Sequence, residues 1–324
     1  MENFIFALNA TLPVFLIILL GWFLQKVGLF HAAFNKTANQ YVFKVALPVS
    51  LFMSVAKMNL RADFDPMFCL FCLVVTWIMF LGVWGLTWVF MKDRGLVGAF
   101  TQASVRSSAA ILGVAFATNI YANTGMVPMM IVAAVPFFNV FAVLILTFSP
   151  HVDEAGNLLP EEKVSGSQVI LKALKGIATN PIIIGIFLGL PFAVFGWQLP
   201  TIFSSALTSI GNTASTVGLL VVGAGFSGAE ALKKWKPAAV ATCIKLLALP
   251  AVFLPFAVLM GFRDSQMVAI LIMLGSPATV AGSVMARSMH ADASLSDNVV
   301  VLTTLFSSVT ITLWLFLLRS GGVI

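Results

Sequence analysis

The sequence predicts an all-α integral membrane protein of ten transmembrane helices, built as two inverted five-helix repeats in which helices 4 and 9 are broken and cross. Three observations predict it. The chain is 60% hydrophobic and 9% charged, with a mean hydropathy of +1.03, whereas soluble domains carry about 25% charged residues. Its apolar runs are continuous and about 20 residues long, the length at which a helix spans a bilayer, and lack the alternation of barrel strands. Finally, the stretch Ser107–Asn123 is echoed 169 residues later by Ser276–Asp292, with Ser107/Ser276, Ala109/Ala278, Gly113/Gly282, Ala117/Ala286 and Ala122/Ala291 in register. Both stretches interrupt apolar sequence with small polar residues where a simple spanning helix would carry Leu and Ile.

In chain order the spans are expected at 5–26, 38–57, 67–90, 98–121, 127–148, 169–195, 201–224, 238–260, 266–288 and 298–318. The first begins almost at once and lacks the basic region and small-residue cleavage site of a signal peptide. The one long polar connection, 149–167, contains Asp153, Glu154, Glu161 and Glu162. It separates a first repeat, 1–148, from a second, 168–324, and is expected to be a cytoplasmic linker. Odd-numbered loops and their flanks hold ten Lys and Arg residues, against four in even-numbered loops and the C-terminal tail. The positive-inside rule therefore puts the odd loops in the cytoplasm and both termini outside. Five spans per half is an odd number, so homologous halves must be inverted. Pro13, Leu20 and Gly21 in span 1 match Pro181, Leu188 and Gly189 in span 6, and Pro66 and Pro237 open spans 3 and 8.

A proline inside a spanning helix frees the carbonyl four residues back, and a bilayer offers no water to satisfy it. Pro48, Pro136, Pro181, Pro250 and Pro277 are the candidates, and Pro277 stands out because Gly275, Ser276, Thr279 and Gly282 surround it. The corresponding part of span 4 has no proline; Ser107 and Ser108 follow Arg106 there, and unwinding is expected at that point as well. Two unwound segments crossing at mid-membrane would present half-helix N-termini and free amides, which attract anions.

All twelve acidic residues are expected in loops or at span ends, whereas four of the eighteen basic residues, Lys44, Arg106, Lys245 and Arg287, fall within spans. A buried charge costs about 2.5–3.5 kcal/mol even on the gentler insertion scale, and an anionic substrate is a natural partner where no acid is present. Lys44, Lys245 and Arg287 lie near enough to the cytoplasmic ends for their side chains to reach water; Arg106 abuts the break. The candidate binding residues are Arg106, Ser107, Ser108, Asn119, Asn139, Ser276, Pro277, Thr279 and Lys245. No midplane Asp pair is present for cation exchange, although Na⁺ could still bind carbonyls and hydroxyls around Asn119 or Asn212. No nucleophile–base set or metal cluster occurs in the spans, so the chain is expected not to be an enzyme and to need no cofactor or metal. The net charge of +6 is explained by topology and does not point to nucleic acid. Cys69, Cys72 and Cys243 lie in apolar runs and read as small buried hydrophobes.

The sequence resembles the auxin efflux carrier family over nearly its whole length. The resemblance is carried by Ala46-Leu47-Pro48, Asn180-Pro181-Ile182-Ile183, Gly223 in a G-x-G, Lys245 followed by Pro250, and Ser276-Pro277-Ala278. It implies a fold like those of bile-acid transporters and sodium–proton antiporters: a scaffold from helices 1, 2, 6 and 7, and a transport domain from helices 3–5 and 8–10. It implies a secondary carrier (permease) for an organic anion, a mono- or dicarboxylate such as malate or malonate, working by alternating access in the plasma or inner membrane. The partners implied are that small anion and the lipid bilayer, with a homodimer left open. Two rivals stand beside it, a Na⁺-coupled symporter of the bile-acid type and a membrane anion sensor that does not transport. One departure matters: Ser108 and Ala115 occupy the positions where the family carries Asn and Pro, Gly113 is retained, and Arg106 lies outside the family pattern.

Overall fold

A computed structural model describes residues 13, 16–57, 65–109, 125–153, 158–159, 175, 178–225 and 233–324. Among these the chain is helical and forms no strands. The helices are α1 (Leu16–Lys26), α2 (Ala32–Tyr41), α3 (Leu47–Ala56), α4 (Pro66–Phe90), α5 (Val97–Val105), α6 (Val127–Phe148), α7 (Pro181–Phe195), α8 (Thr201–Gly225), α9 (Trp235–Cys243), α10 (Leu249–Leu259), α11 (Asp264–Gly275), α12 (Val280–Ser288) and α13 (Ala293–Ser320). Five continuous runs, Pro66–Phe90, Met129–Phe148, Thr201–Gly225, Trp235–Leu259 and Ala293–Ser320, are long and apolar enough to cross a membrane. Leu16–Lys26, Pro181–Phe195 and Asp264–Gly275 are shorter apolar helices.

Local sequence explains most boundaries. Asp65 caps α4, its carboxylate accepting from the amides of Met67 (3.0 Å) and Phe68 (3.1 Å), with Pro66 in the first turn, where its missing N–H costs nothing. Asn180 caps α7 in the same way through Ile182 (3.0 Å) and Ile183 (3.4 Å), again before a proline. Gly196 ends α7 in the left-handed conformation (φ 68°) that glycine tolerates. The candidate kinks at Pro48 and Pro250 become π turns, Val42–Ala46 between α2 and α3 and Ile244–Ala248 between α9 and α10. In each, the residue before the proline bonds five residues back, Leu47 to Val42 and Leu249 to Ile244. The wider turn moves the carbonyl four residues back clear of the proline ring. For Pro250 that carbonyl belongs to Leu246, and the Trp314 indole of α13 donates to it at 2.9 Å.

Two groups of helices pack around the site. In one, α1 lies on α8 and α3 on α7 and α8; in the other, α4 lies on α5 and α6, α9 and α12 on α13, and α10 on α11. The first group is joined through glycines. A methyl on Gly21 would lie 2.2 Å from the Leu220 carbonyl oxygen, and one on Gly223 would lie 1.9 Å from that of Ile18. A methyl on Gly185 would lie 2.4 Å from the Pro48 carbonyl oxygen, and one on Gly189 would lie 2.9 Å from that of Phe52. Small residues at such crossings let backbones approach where lipid supplies no hydrophobic drive between helices. Cys72 is buried as expected, but Cys243 is exposed and Cys69 half-buried, because helix periodicity turns them to different faces.

Gly223→Ala is expected to cost about 1–3 kcal/mol by overpacking against backbone that cannot step aside. Gly82→Ala, at a position with nothing within 4 Å, serves as the control. Melting temperatures in detergent, lowered for the first variant and unchanged for the second, check this.

Candidate functional site

The two breaks meet. α5 stops at Val105, Arg106 turns extended (φ −71°, ψ 127°), and α11 stops at Gly275 with Ser276 extended (φ −72°, ψ 158°). Ser107 and Ala278 form an antiparallel bridge, with the Ser108 amide donating to the Pro277 carbonyl at 2.8 Å. Thr279 caps α12, its hydroxyl accepting from Ala281 N at 3.3 Å. The continuation of span 4 from residue 110, including Gly113, Ala115 and the candidate Asn119, lies outside the described residues.

Side chains from neighbouring helices hold the crossing. Gln102, fully buried on α5, donates to the Gly282 carbonyl at 2.8 Å. Thr303 of α13 accepts from the Ala278 amide at 3.0 Å and donates to the Val299 carbonyl at 2.6 Å. The Ser107 hydroxyl donates to the Met273 carbonyl, and Lys245 Nζ donates to Ser107 Oγ and to the Leu274 carbonyl. The amides of Ser108, Ser276 and Ala278 are thus bonded inside the protein. The expectation that free amides would present themselves to an anion fails at these residues, because the Pro277 carbonyl takes the Ser108 amide, the Ile272 carbonyl of α11 that of Ser276, and Thr303 that of Ala278.

Arg106 is 4% exposed. Its guanidinium donates to Asn139 Oδ1 of α6 and to Met285 Sδ of α12, the latter at 2.7 Å. Asn139 in turn donates to the Val135 carbonyl at 2.9 Å, which fixes the amide with its oxygen toward the arginine. Neither partner is charged. A guanidinium has five N–H groups, so this pair of contacts leaves donor capacity over.

Beside the crossing lies a cavity of about 190 Å³, larger than an engineered cavity of about 150 Å³ that holds benzene. Arg106, Ser107, Ser108, Pro277 and Thr279 line it from the breaks and Asn139 from α6. Ser50 and Ser54 of α3, Ser215 of α8 and Thr304 of α13 add hydroxyls, and Leu47, Leu51, Val135, Phe138 and Leu219 make an apolar wall. Two candidates are placed elsewhere. Ser276 is buried off the cavity wall with its hydroxyl unpartnered among the described residues, and Lys245 approaches Ser107 from behind instead of reaching water. Asn212 is exposed on α8. Sequence reasoning missed Gln102, Thr303 and the α3 serines, whose one signal is polarity within an apolar span.

The charge inventory needs one correction. Asp297 is 1% exposed, in the second turn of α13, which begins at Ala293. It accepts from Ser283 Oγ and pairs with Arg287 at 2.5 Å, so Arg287 is tied to an acid instead of reaching freely for water. A second pair joins Lys234 to Asp292 at 2.6 Å. Arg106 and Lys245 have no acidic partner among the described residues.

The family described as membrane transport protein matches residues 6–315. An uncharacterized transporter of Methanothermobacter thermautotrophicus is 21% identical over 313 residues, covering 94% of this chain and 96% of its own length. An uncharacterized transporter of Methanocaldococcus jannaschii is 22% identical over 318 residues, covering 95% of this chain and 97% of its own.

Thr303→Val is expected to strand the buried Ala278 amide at a cost of about 1–3 kcal/mol, while Thr303→Ser keeps the acceptor. Denaturation midpoints of the two variants check the difference.

Proposed function

The chain belongs to the membrane transport protein family, the auxin efflux carriers, and from that premise we propose that this multi-pass transporter carries an organic anion, a mono- or dicarboxylate such as malate or malonate, by alternating access. One observation carries the reading: Arg106 is a buried cation on the wall of a cavity, held by two neutral groups and, among the described residues, by no acid. An uncompensated charge in a membrane interior is costly, and a bound carboxylate offsets it with the charge-assisted, bidentate geometry that suits a guanidinium. Asn139 orients the guanidinium. Ser108, Thr279, Ser50 and Ser215 stand round the same cavity as hydroxyl donors for the rest of the ligand.

In this reading the chain has ten spans in two inverted repeats. The glycine contacts support it. Gly21 in span 1 meets span 7 at Leu220, and its repeat counterpart Gly189 in span 6 meets span 2 at Phe52. Inverted halves require that exchange of partners. The first helix group is then the scaffold and the second the transport domain. The cavity lies between them, with Ser50, Ser54 and Ser215 on the scaffold side and Arg106 on the moving side. Neutralising Arg106 with substrate lowers the cost of carrying that charge past the scaffold. The lysine-rich loops face the cytoplasm and the termini the outside.

Radiolabelled counterflow in proteoliposomes, screened across small carboxylates, tests the activity. Arg106→Gln is expected to lose anion binding by about 2–5 kcal/mol, the cost of removing one partner of a buried charged contact, while melting no lower than wild type without ligand, since an uncompensated charge has gone. Asn139→Asp gives the guanidinium an internal counter-charge; it is expected to fold and to lose counterflow. Undiminished counterflow in both variants would remove Arg106 from the site.

A further inference from the structure

Lys245 is fully buried (0% exposed) in the π turn before α10. Its Nζ reaches both broken helices at once: the Leu274 carbonyl in the last turn of α11, and Ser107 just past the end of α5. The last four carbonyls of a helix have no partner within it, and together they carry the negative end of the helix dipole, about half an elementary charge. Two such ends, those of α5 and α11, converge at the crossing. An ammonium has only hydrogens to give, so Ser107 Oγ must accept from Lys245, and the Ser107 proton goes to the Met273 carbonyl. That hydroxyl has no hydrogen left for a ligand. Lys245 itself is absent from the cavity wall. The rest of the wall sets the hydroxyls of Ser50, Ser54, Ser215 and Thr304 among apolar side chains and, among the described residues, holds no second cation for a second carboxylate.

We propose that Lys245 is a positioning residue that does not touch the transported anion: its charge offsets the carbonyl end of α11 at Leu274 directly and at Met273 by way of Ser107, and so ties that end to the chain leaving α5, leaving Arg106 as the one charge of a site that takes a single carboxylate group. The proposal rests on the anion-carrier reading above and narrows its substrate class to monocarboxylates with an apolar body. It also assigns the two buried cations different work: one holds the crossing together, the other meets the ligand.

The test titrates purified full-length protein with butyrate and with succinate, which share a four-carbon chain and differ by one carboxylate. Butyrate is expected to bind about tenfold or more tightly. Lys245→Met is expected to weaken butyrate by about tenfold or more, and Lys245→Arg, which keeps the charge, to restore it to within about threefold. Because Lys245 acts through Ser107, the double variant with Ser107→Ala is expected to bind no more weakly than Lys245→Met alone, the non-additivity of a shared contact. Should Lys245→Met fail to fold, the butyrate preference of Lys245→Arg still decides: retained, it supports the proposal; reversed, it overturns it. Tighter succinate binding, a Lys245→Met variant that binds like wild type, or losses that multiply in the double variant would overturn the role of Lys245 while leaving the carrier reading standing. Failure of wild type to bind either probe removes the carrier reading and this proposal together.

Discussion

A buried guanidinium that has no acid beside it among the described residues is the constraint on which the rest of the structure depends. Arg106 sits where helix α5 ends, and it can sit there because Asn139 and Met285 take up part of its hydrogen-bonding capacity without cancelling its charge. Buried acids are committed elsewhere: Asp297 to Arg287 and Ser283, and Asp292 to Lys234 and to the cap of α13. Of the two buried cations without an acidic partner among the described residues, Lys245 is taken up by the α11 carbonyl end and Ser107, whereas Arg106 faces the cavity.

The crossing that presents Arg106 is held by side chains as much as by backbone. Broken helices leave carbonyls and amides that lipid cannot satisfy. Here Gln102, Thr303, Ser107 and Lys245 satisfy several of them, and the two breaks satisfy others in each other. The amides bonded in this way stabilise the crossing and are unavailable to a ligand. In the proposed reading, recognition of an anion therefore falls to Arg106 and the hydroxyls of the cavity wall, with the crossing as the mount for one charged group.

Much of the fold was legible in the sequence for simple reasons. Long apolar runs, Pro66 at the start of α4 and the cluster Gly275-Ser276-Pro277 are local signals, and each marks a boundary or break where it was expected; Pro181, read as a candidate break within span 6, opens α7 instead. Arg106 was found because charge inside an apolar run is rare. What stayed hidden was pairing. Arg106 finds partners 33 and 179 residues away, Gln102 one 180 away, and Lys245 partners 138 and 29 away, and no periodicity reports such contacts. Lys245 looked like a residue within reach of water until the π turn before Pro250 and the end of α11 were seen to enclose it. Asp297 looked like a loop acid because α13 starts earlier than its hydropathy suggests, its first turns being polar but capped by Asp292.

The central claim is that the charge of Arg106 is held for a carboxylate. The most direct measurement compares the melting temperature of purified wild-type protein with benzoate and with benzamide, two ligands of the same shape of which only one is an anion. A ligand at about a hundred times its dissociation constant stabilises the folded state by about 2.7 kcal/mol. A rise with benzoate and none with benzamide is expected if the charge of Arg106 is held for a carboxylate. Equal shifts from the two would contradict it.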